Sequence, residues 1–86
     1  MTATDFDSIY KDHYDAVFRL CLGYVSGDED TAKDLTQESF VKVFQNLPSF
    51  RQEAALGTWI YRITVNTCLA FLRKKKNGQH PIMNTR

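Results

Sequence analysis

The chain has 86 residues, of which 43% are hydrophobic, so it suits one small domain with a single core. No apolar run approaches the roughly 20 residues of a membrane span, and the acidic start lacks the basic and apolar regions of a signal peptide. We therefore expect a cytoplasmic protein. The net charge of +1 conceals a split, since residues 1–50 carry nine acids and four bases, whereas residues 51–86 carry seven bases and one acid. This asymmetry indicates two different partners, and an anionic polymer suits the basic half.

The first predicted helix spans residues 5–25. Thr4 and Asp7 have the spacing of a capping box at its start, and Ser26-Gly27 favour its end because glycine accepts the left-handed C-cap conformation. The apolar residues at helical spacing, expected to face the core, are Phe6, Ile9, Tyr10, Val17, Leu20, Cys21 and Tyr24.

The second predicted helix starts at Asp28, a favourable N-cap, and ends near Asn46. Its predicted core face, with Phe44 at the edge, consists of Ala32, Leu35, Thr36, Ser39, Phe40, Val43 and Leu47. The opposite arc of roughly 100° contains Asp34, Gln37, Glu38, Val41 and Gln45.

An irregular loop is predicted from Pro48 to Leu56, followed by a third helix over residues 56–76. Thr58 is a candidate cap, although Leu56 allows an earlier start. The core face of this helix is predicted to contain Leu56, Trp59, Ile60, Ile63, Thr67, Ala70 and Phe71, widened by Tyr61, Val65, Cys68 and Leu72. The remaining outward stripe is Arg62, Asn66, Leu69 and Arg73. The pattern predicts an all-α bundle of three main helices, with residues 77–86 as a linker or tail.

Metal and cofactor chemistry has little support in the sequence. Cys21 and Cys68 lie among apolar residues without a CxxC partner, so we expect buried free thiols. His13 and His80 complete no metal-ligand spacing, and no cofactor is expected.

The outward stripe of the third helix has the composition of a nucleic-acid surface. From Arg62 to Arg73 it extends about 16 Å, the length of roughly five stacked bases. Arginine and lysine bind phosphates, asparagine can read a base edge, and neighbouring aromatic side chains can stack on unpaired bases. The alternative is that the basic end only complements the helix dipole and that Trp59 packs in the core.

The outer arc of the second helix also has two interpretations. It is either a solvated surface or a contact surface for a basic helix of another protein. Asp34 and Glu38 form an exposed i, i+4 pair without a positioned nucleophile, so we do not expect an enzyme.

Four motifs occur in a specific order: AKDLTQESF, SFR, TWIYRITVN and LRKKK. Together they resemble region 2 of the extracytoplasmic-function sigma factors, which are promoter-specificity subunits of bacterial RNA polymerase. The resemblance covers about residues 5–76, with Ile60 where leucine is usual. We do not expect the family's second domain, region 4, within these 86 residues, so we expect a fragment with the first domain and part of the linker. We therefore expect a region 2 domain over residues 1–76, and a linker or tail at 77–86.

The resemblance implies that the second helix docks on the clamp helices of the polymerase's largest subunit. The matching positions are Asp34, Gln37, Glu38 and Val41, while Phe40 matches a core position. It also implies an inhibitory anti-sigma factor as a further partner.

The resemblance further implies that the loop and third helix recognise the −10 promoter element and help to melt it, by capturing the non-template single strand with one base flipped out. Phe50 and Arg51 would lie at the base pocket, whereas Trp59 and Tyr61 contact DNA or only pack. The full set of implied DNA contacts is Phe50, Arg51, Trp59, Tyr61, Arg62, Asn66, Arg73, Lys74, Lys75 and Lys76. The alternatives are a helical protein-interaction module without a DNA role and a nonspecific nucleic-acid binder.

Overall fold

The computed structural model describes residues 6–50 and 55–76, apart from the side chain of Lys76. The main elements are α1 (Phe6–Tyr24), α2 (Glu29–Asn46) and α3 (Leu56–Lys76). No strand occurs in the two described ranges, and the predicted all-α fold of three helices is confirmed. None of these three helices is long and apolar enough to cross a membrane.

The turn between α1 and α2 contains two residues with left-handed backbone, Ser26 (φ 56°) and Gly27 (φ 85°). The Gly27 N–H donates to the Leu22 carbonyl at 3.0 Å and closes the last turn of α1. The Asp28 carboxylate then caps α2 by accepting hydrogen bonds from the Thr31 hydroxyl (2.7 Å) and backbone N–H (3.4 Å). These bonds lower the pKa of Asp28. The predicted helix boundary is therefore confirmed, whereas the capping box at Thr4 lies outside the described residues.

The connection from α2 to α3 differs from the prediction in one place, and it decides between the two predicted starts of the third helix. Pro48 and Ser49, which the sequence places in an irregular loop, form a short 3₁₀ helix with Leu47, because the fixed φ of proline suits a first helical turn. α3 begins at Leu56, and the Trp59 N–H donates to the Ala55 carbonyl at 3.1 Å. Thr58 consequently lies inside the helix and does not cap it.

The three helices share one core. Its buried apolar members are Ile9, Val17, Cys21, Ala32, Leu35, Phe40, Val43, Ile60 and Cys68. Cys21 and Cys68 join α1 to α3 with their sulfur atoms 3.6 Å apart, and the prediction of buried free thiols is confirmed. Burial raises the pKa of the Cys68 thiol to about 12, and the hydrogen bond to Cys21 acts in the same direction.

Buried hydroxyl groups complete the core without leaving unpaired donors. Thr36, Ser39, Thr64 and Thr67 each donate to the carbonyl four residues earlier, at 2.7–2.9 Å. Thr64 is fully buried although the sequence did not place it on the core face, since its satisfied hydroxyl lets it occupy an apolar position. The prediction that Tyr61 widens the core face is wrong, because its side chain is 56% exposed.

An aromatic ladder on α1 fixes this helix against α2. The ladder consists of residues four positions apart, which share one helix face: Phe6, Tyr10, Tyr14 and Phe18. The ring centroid of Tyr10 lies 4.8 Å from that of Phe40. The centroid of Phe6 lies 5.1 Å from that of Phe44, in an edge-to-face arrangement. The ladder thus positions the C-terminal half of α2, which carries the first candidate surface.

Candidate functional site

The outer face of α2 carries the four side chains that the resemblance assigns to polymerase docking. They form what we call the docking face: Asp34, Gln37, Glu38 and Val41. All four are exposed, and 51% of the Val41 side chain is open to solvent. The opposite side of the helix is buried, as the helical period predicted. The docking face is therefore a continuous outward surface of acids, an amide and an apolar group.

An ion pair moderates the charge of the docking face. Lys42 Nζ lies 3.4 Å from Glu38 Oε2, one helical turn away, and both side chains are about half exposed (41% and 56%). Such a surface pair contributes at most about 1 kcal/mol to stability, so it leaves the Glu38 carboxylate free to exchange partners. Among the described residues Asp34 forms no ion pair. The lysine beside the docking face was not part of the sequence prediction.

A hydrogen bond connects the docking face to α1. Gln37 Nε2 donates to the Tyr10 hydroxyl at 3.0 Å. The two residues are 27 positions apart, so the bond depends on how α1 and α2 pack. It orients the Gln37 amide on the surface and brings the first helix into the candidate site.

Next to the docking face, α1 and α2 form the walls of an open groove of about 410 Å³. We call it the aromatic groove, and it is lined by Phe6, Tyr10, Gln37, Phe40, Val41, Phe44 and Gln45. Phe44, which the sequence placed at the edge of the core face, is 59% exposed. The four-residue spacing of aromatic residues on α1 was the sequence signal that could have predicted this second wall.

The outer face of α3 carries what we call the basic stripe: Arg62, Asn66, Leu69 and Arg73. All four side chains are exposed, as predicted, and they extend over about 16 Å of helix. Lys74 and Lys75 continue the exposed positive charge, and the side chain of Lys76 lies outside the described part of the chain. No base of the stripe forms an ion pair with any acid in the described ranges. Its charge is therefore available to an anionic ligand.

Aromatic side chains flank the segment that precedes α3. The ring centroids of Phe50 and Trp59 are 4.7 Å apart, and both side chains are half-buried. Trp59 therefore packs against Phe50 and the core, whereas Tyr61 is exposed beside the basic stripe. Arg51 lies outside the described residues, and its place at a base pocket stays a prediction.

The docking face and the basic stripe differ in charge, and both lie on helices that pack on the same core. Across residues 6–50 and 55–76, no three His, Cys, Asp or Glu side chains cluster as metal ligands would. Instead, one helix presents acids beside an aromatic groove, and another presents bases around an amide. Both surfaces belong to helices that bury their inner sides in the same core.

Comparison with known protein families identifies the family of this chain. The family model for sigma-70 region 2 matches residues 9–78, a range that includes the docking face and the basic stripe. The chain belongs to the sigma-70 region 2 family. The ordered motifs had predicted this family, and the prediction is confirmed.

Relatives of this sigma-70 region 2 domain include proteins that are named ECF RNA polymerase sigma factors. It is 36% identical to the ECF RNA polymerase sigma factor SigE of Mycolicibacterium smegmatis, over 81% of this chain and 26% of that protein. It is 36% identical to the ECF RNA polymerase sigma factor SigW of Bacillus subtilis, over 84% of this chain and 36% of that protein. It is 39% identical to the ECF RNA polymerase sigma-E factor of Haemophilus influenzae, over 88% of this chain and 38% of that protein.

The sigma-70 region 2 chain thus spans between 26% and 38% of the length of these three relatives. No solved structure matches it significantly. Among the described residues, the predicted contact residues are exposed, except Phe50 and Trp59, which are half-buried. Their contacts with polymerase and with DNA stay predictions.

Proposed function

We propose that this chain acts as region 2 of a promoter-specificity subunit. It docks on core RNA polymerase through the docking face, and it recognises and helps to melt the −10 element by capturing non-template single-stranded DNA along the basic stripe. The observation that carries the proposal is the placement of two chemically distinct exposed surfaces on adjacent helices of one small bundle.

Docking is supported by the composition of the outer face of α2. Carboxylates steer a basic partner and fix its register, while Val41 supplies apolar area that can be desolvated at the centre of a contact. The surface is helical and convex, so it suits a second helix packed alongside it. The clamp helices of the polymerase's largest subunit are the partner that the family resemblance implies. An anti-sigma factor, also implied by the resemblance, would be a competing partner.

Capture of DNA is supported by the basic stripe. The arginines at its two ends can hold phosphates about 16 Å apart, and the Asn66 amide between them can bond to a base edge. A domain that binds the unpaired strand more tightly than duplex shifts the equilibrium toward the melted form. Lys74 and Lys75 extend the positive track, and the segment after Phe50 would hold the flipped base.

The docking proposal is tested by charge reversal in Asp34→Lys/Glu38→Lys. We expect its affinity for bacterial core RNA polymerase to fall about 30-fold or more, because two acids that face a basic partner are replaced by side chains of the wrong sign. The matched control is Asp12→Lys/Asp15→Lys, which reverses two acids on α1 and changes the net charge equally. Equal reductions of affinity in both variants would indicate nonspecific attraction, and no binding by the wild-type chain would refute the proposal.

A further inference from the structure

We infer that Cys21 and Cys68 form a reversible intramolecular disulfide when the protein meets a peroxide, and that this bond ties the end of α1 to α3. The pair is then a modification site inside the core, independent of polymerase docking and of DNA capture. The disulfide stabilises the folded domain and protects both sulfur atoms from irreversible oxidation.

The distance between the two thiols is the first argument. The Cys68 thiol donates a hydrogen bond to the Cys21 sulfur at 3.6 Å, and both side chains are fully buried. Disulfide sulfur atoms lie about 2.0 Å apart, so small side-chain rotations would suffice to close the remaining gap of roughly 1.6 Å. The chain contains two cysteines, and each is therefore the protein thiol that the other can reach.

The place of the pair in the core is the second argument. Cys21 is the last buried residue of α1, and Cys68 is the last buried residue in the described part of α3. Beyond them the described side chains of both helices are half-buried or exposed. A disulfide would therefore fasten the bundle where its core ends. It would also close a loop between positions 47 residues apart, which removes conformational freedom from the unfolded chain.

An open hollow beside the pair gives a small oxidant a route towards the sulfur atoms. Its volume is about 260 Å³. Four of its lining residues lie three or four positions, or one helical turn, beyond the cysteines: Tyr24, Val25, Phe71 and Leu72. Local opening of this end of the bundle is consequently enough to admit a peroxide, and global unfolding is not needed.

The chemistry takes two steps and balances with one peroxide. One thiol, after losing its proton, attacks a peroxide oxygen; the O–O bond breaks, a sulfenic acid forms, and the departing hydroxide takes up the proton as water. The second thiol attacks the sulfenic sulfur, so the S–S bond forms, the S–O bond breaks and a second water leaves. Two thiols thus lose two electrons and two protons, and the peroxide is reduced to two waters.

Burial determines when the reaction occurs. It raises the pKa of the Cys68 thiol to about 12, which keeps this thiol protonated and unreactive while the core is closed. Oxidation therefore follows opening of the end of the bundle. The neighbouring thiol then reacts with the sulfenic acid before a second peroxide can oxidise that sulfur further.

The test treats the full chain with hydrogen peroxide, blocks remaining thiols with an alkylating reagent, and maps the peptides without reduction. We expect monomeric protein with two peptides linked through Cys21 and Cys68, free of alkyl groups and separated by dithiothreitol. Thermal unfolding followed by circular dichroism should give the oxidised chain a midpoint about 10 °C or more above that of the reduced chain. Cys68→Ala is the matched control, since it keeps the position apolar and cannot form the bond. Peroxide should not raise its midpoint.

Several results would overturn the inference. Cysteines that gain oxygen atoms, or that link two chains, would show that the two thiols react separately. A disulfide that lowers the midpoint would show that the bond strains the core. Thiols of the folded chain that stay reduced in peroxide would show that this end of the bundle does not open to the oxidant. The comparison of oxidised with reduced wild type needs no substitution, so it decides the question even if Cys68→Ala does not fold.

Discussion

The outer faces of α2 and α3 have the same arrangement of side chains but opposite charge. Each helix buries one side in a common core and presents a row of side chains outward. On α2 the row combines acids, an amide and a valine, and it borders the aromatic groove. On α3 the row combines arginines, an asparagine and a leucine, and it leads into lysines. The fold therefore supplies two similar platforms, and the side chains alone decide the partner.

Support from neighbouring helices is the other difference between the two faces. Gln37 is hydrogen-bonded to Tyr10, and Phe44 packs on Phe6, so α1 holds parts of the α2 surface in place. Within the described residues, no side chain of the basic stripe makes a comparable hydrogen bond to another helix. A held surface suits a partner of fixed shape, such as a helix. Long unrestrained bases suit a flexible strand, whose phosphates they can follow.

Destabilising the core that supports α2 and α3 should weaken binding at both outer faces together. Phe40 is 2% exposed and packs on the rings of Tyr10 and Tyr14. Phe40→Ala should cost about 3–5 kcal/mol of unfolding free energy through the cavity it leaves, a large share of the stability of a small domain. Urea unfolding followed by circular dichroism measures this cost, and both polymerase and DNA binding should decline with it.

Phe44→Ala is the matched control for that experiment, because it removes the same side chain one turn along the same helix. At 59% exposure, Phe44 should contribute only about 1 kcal/mol to stability. Comparable destabilisation by the two variants would mean that the groove is part of the core. In that case it would be wrong to assign Phe40 to the core and Phe44 to the surface.

Neutralising the basic stripe should weaken DNA binding and leave polymerase binding unchanged. Arg62→Gln/Arg73→Gln, measured as the complex with core polymerase, should bind a single-stranded −10 oligonucleotide about tenfold more weakly or worse. The slope of log affinity against log salt should fall by about 0.7 for each phosphate that the variant no longer neutralises. Affinity for the polymerase itself should stay within about twofold of wild type, because the docking face is unchanged. Fluorescence anisotropy with a labelled oligonucleotide measures the affinity for DNA and its salt slope.

Arg19→Gln, which neutralises an exposed arginine on α1, is the control for the stripe variant. It should leave the salt slope unchanged. A preference of the wild-type complex for duplex over single-stranded −10 DNA would contradict the melting role. An equal reduction of polymerase affinity in the stripe variant would contradict the division of labour between the faces.

Local sequence signals were sufficient for the helices and for the two outward rows. The Asp28 cap, the Ser26-Gly27 turn and the 3.6-residue period each act over a few residues, so the chain encodes them locally. The same period correctly separated Asp34 and Arg62 from the buried sides of their helices.

Features that depend on packing between helices were not predictable in this way. The exposure of Phe44 depends on where the α1 ladder ends against α2, and the exposure of Tyr61 depends on how α3 sits beside α1. The bond between Gln37 and Tyr10 joins positions 27 residues apart. Thr64 is buried by the packing of α3, and its bond to the Ile60 carbonyl satisfies the hydroxyl there, which a hydropathy pattern does not register.

The smallest predicted effect concerns that long-range bond. Tyr10→Phe keeps the ring that packs on Phe40 and removes only the hydroxyl that accepts from Gln37. We expect polymerase affinity to fall roughly 2- to 10-fold, the equivalent of one net hydrogen bond, with little change in stability. Tyr14→Phe, one turn along the ladder, is the control and should bind like wild type.

A double-mutant cycle then identifies the route of the effect. If Tyr10 acts by orienting the Gln37 amide, Tyr10→Phe should have no further effect once Gln37→Ala is present. Additive effects would show that the hydroxyl contacts the partner directly, or that it stabilises the groove by another path. In either case α1 would take part in docking. The bond from Gln37 to Tyr10, however, would no longer be the reason why the outer face of α2 is more restrained than that of α3.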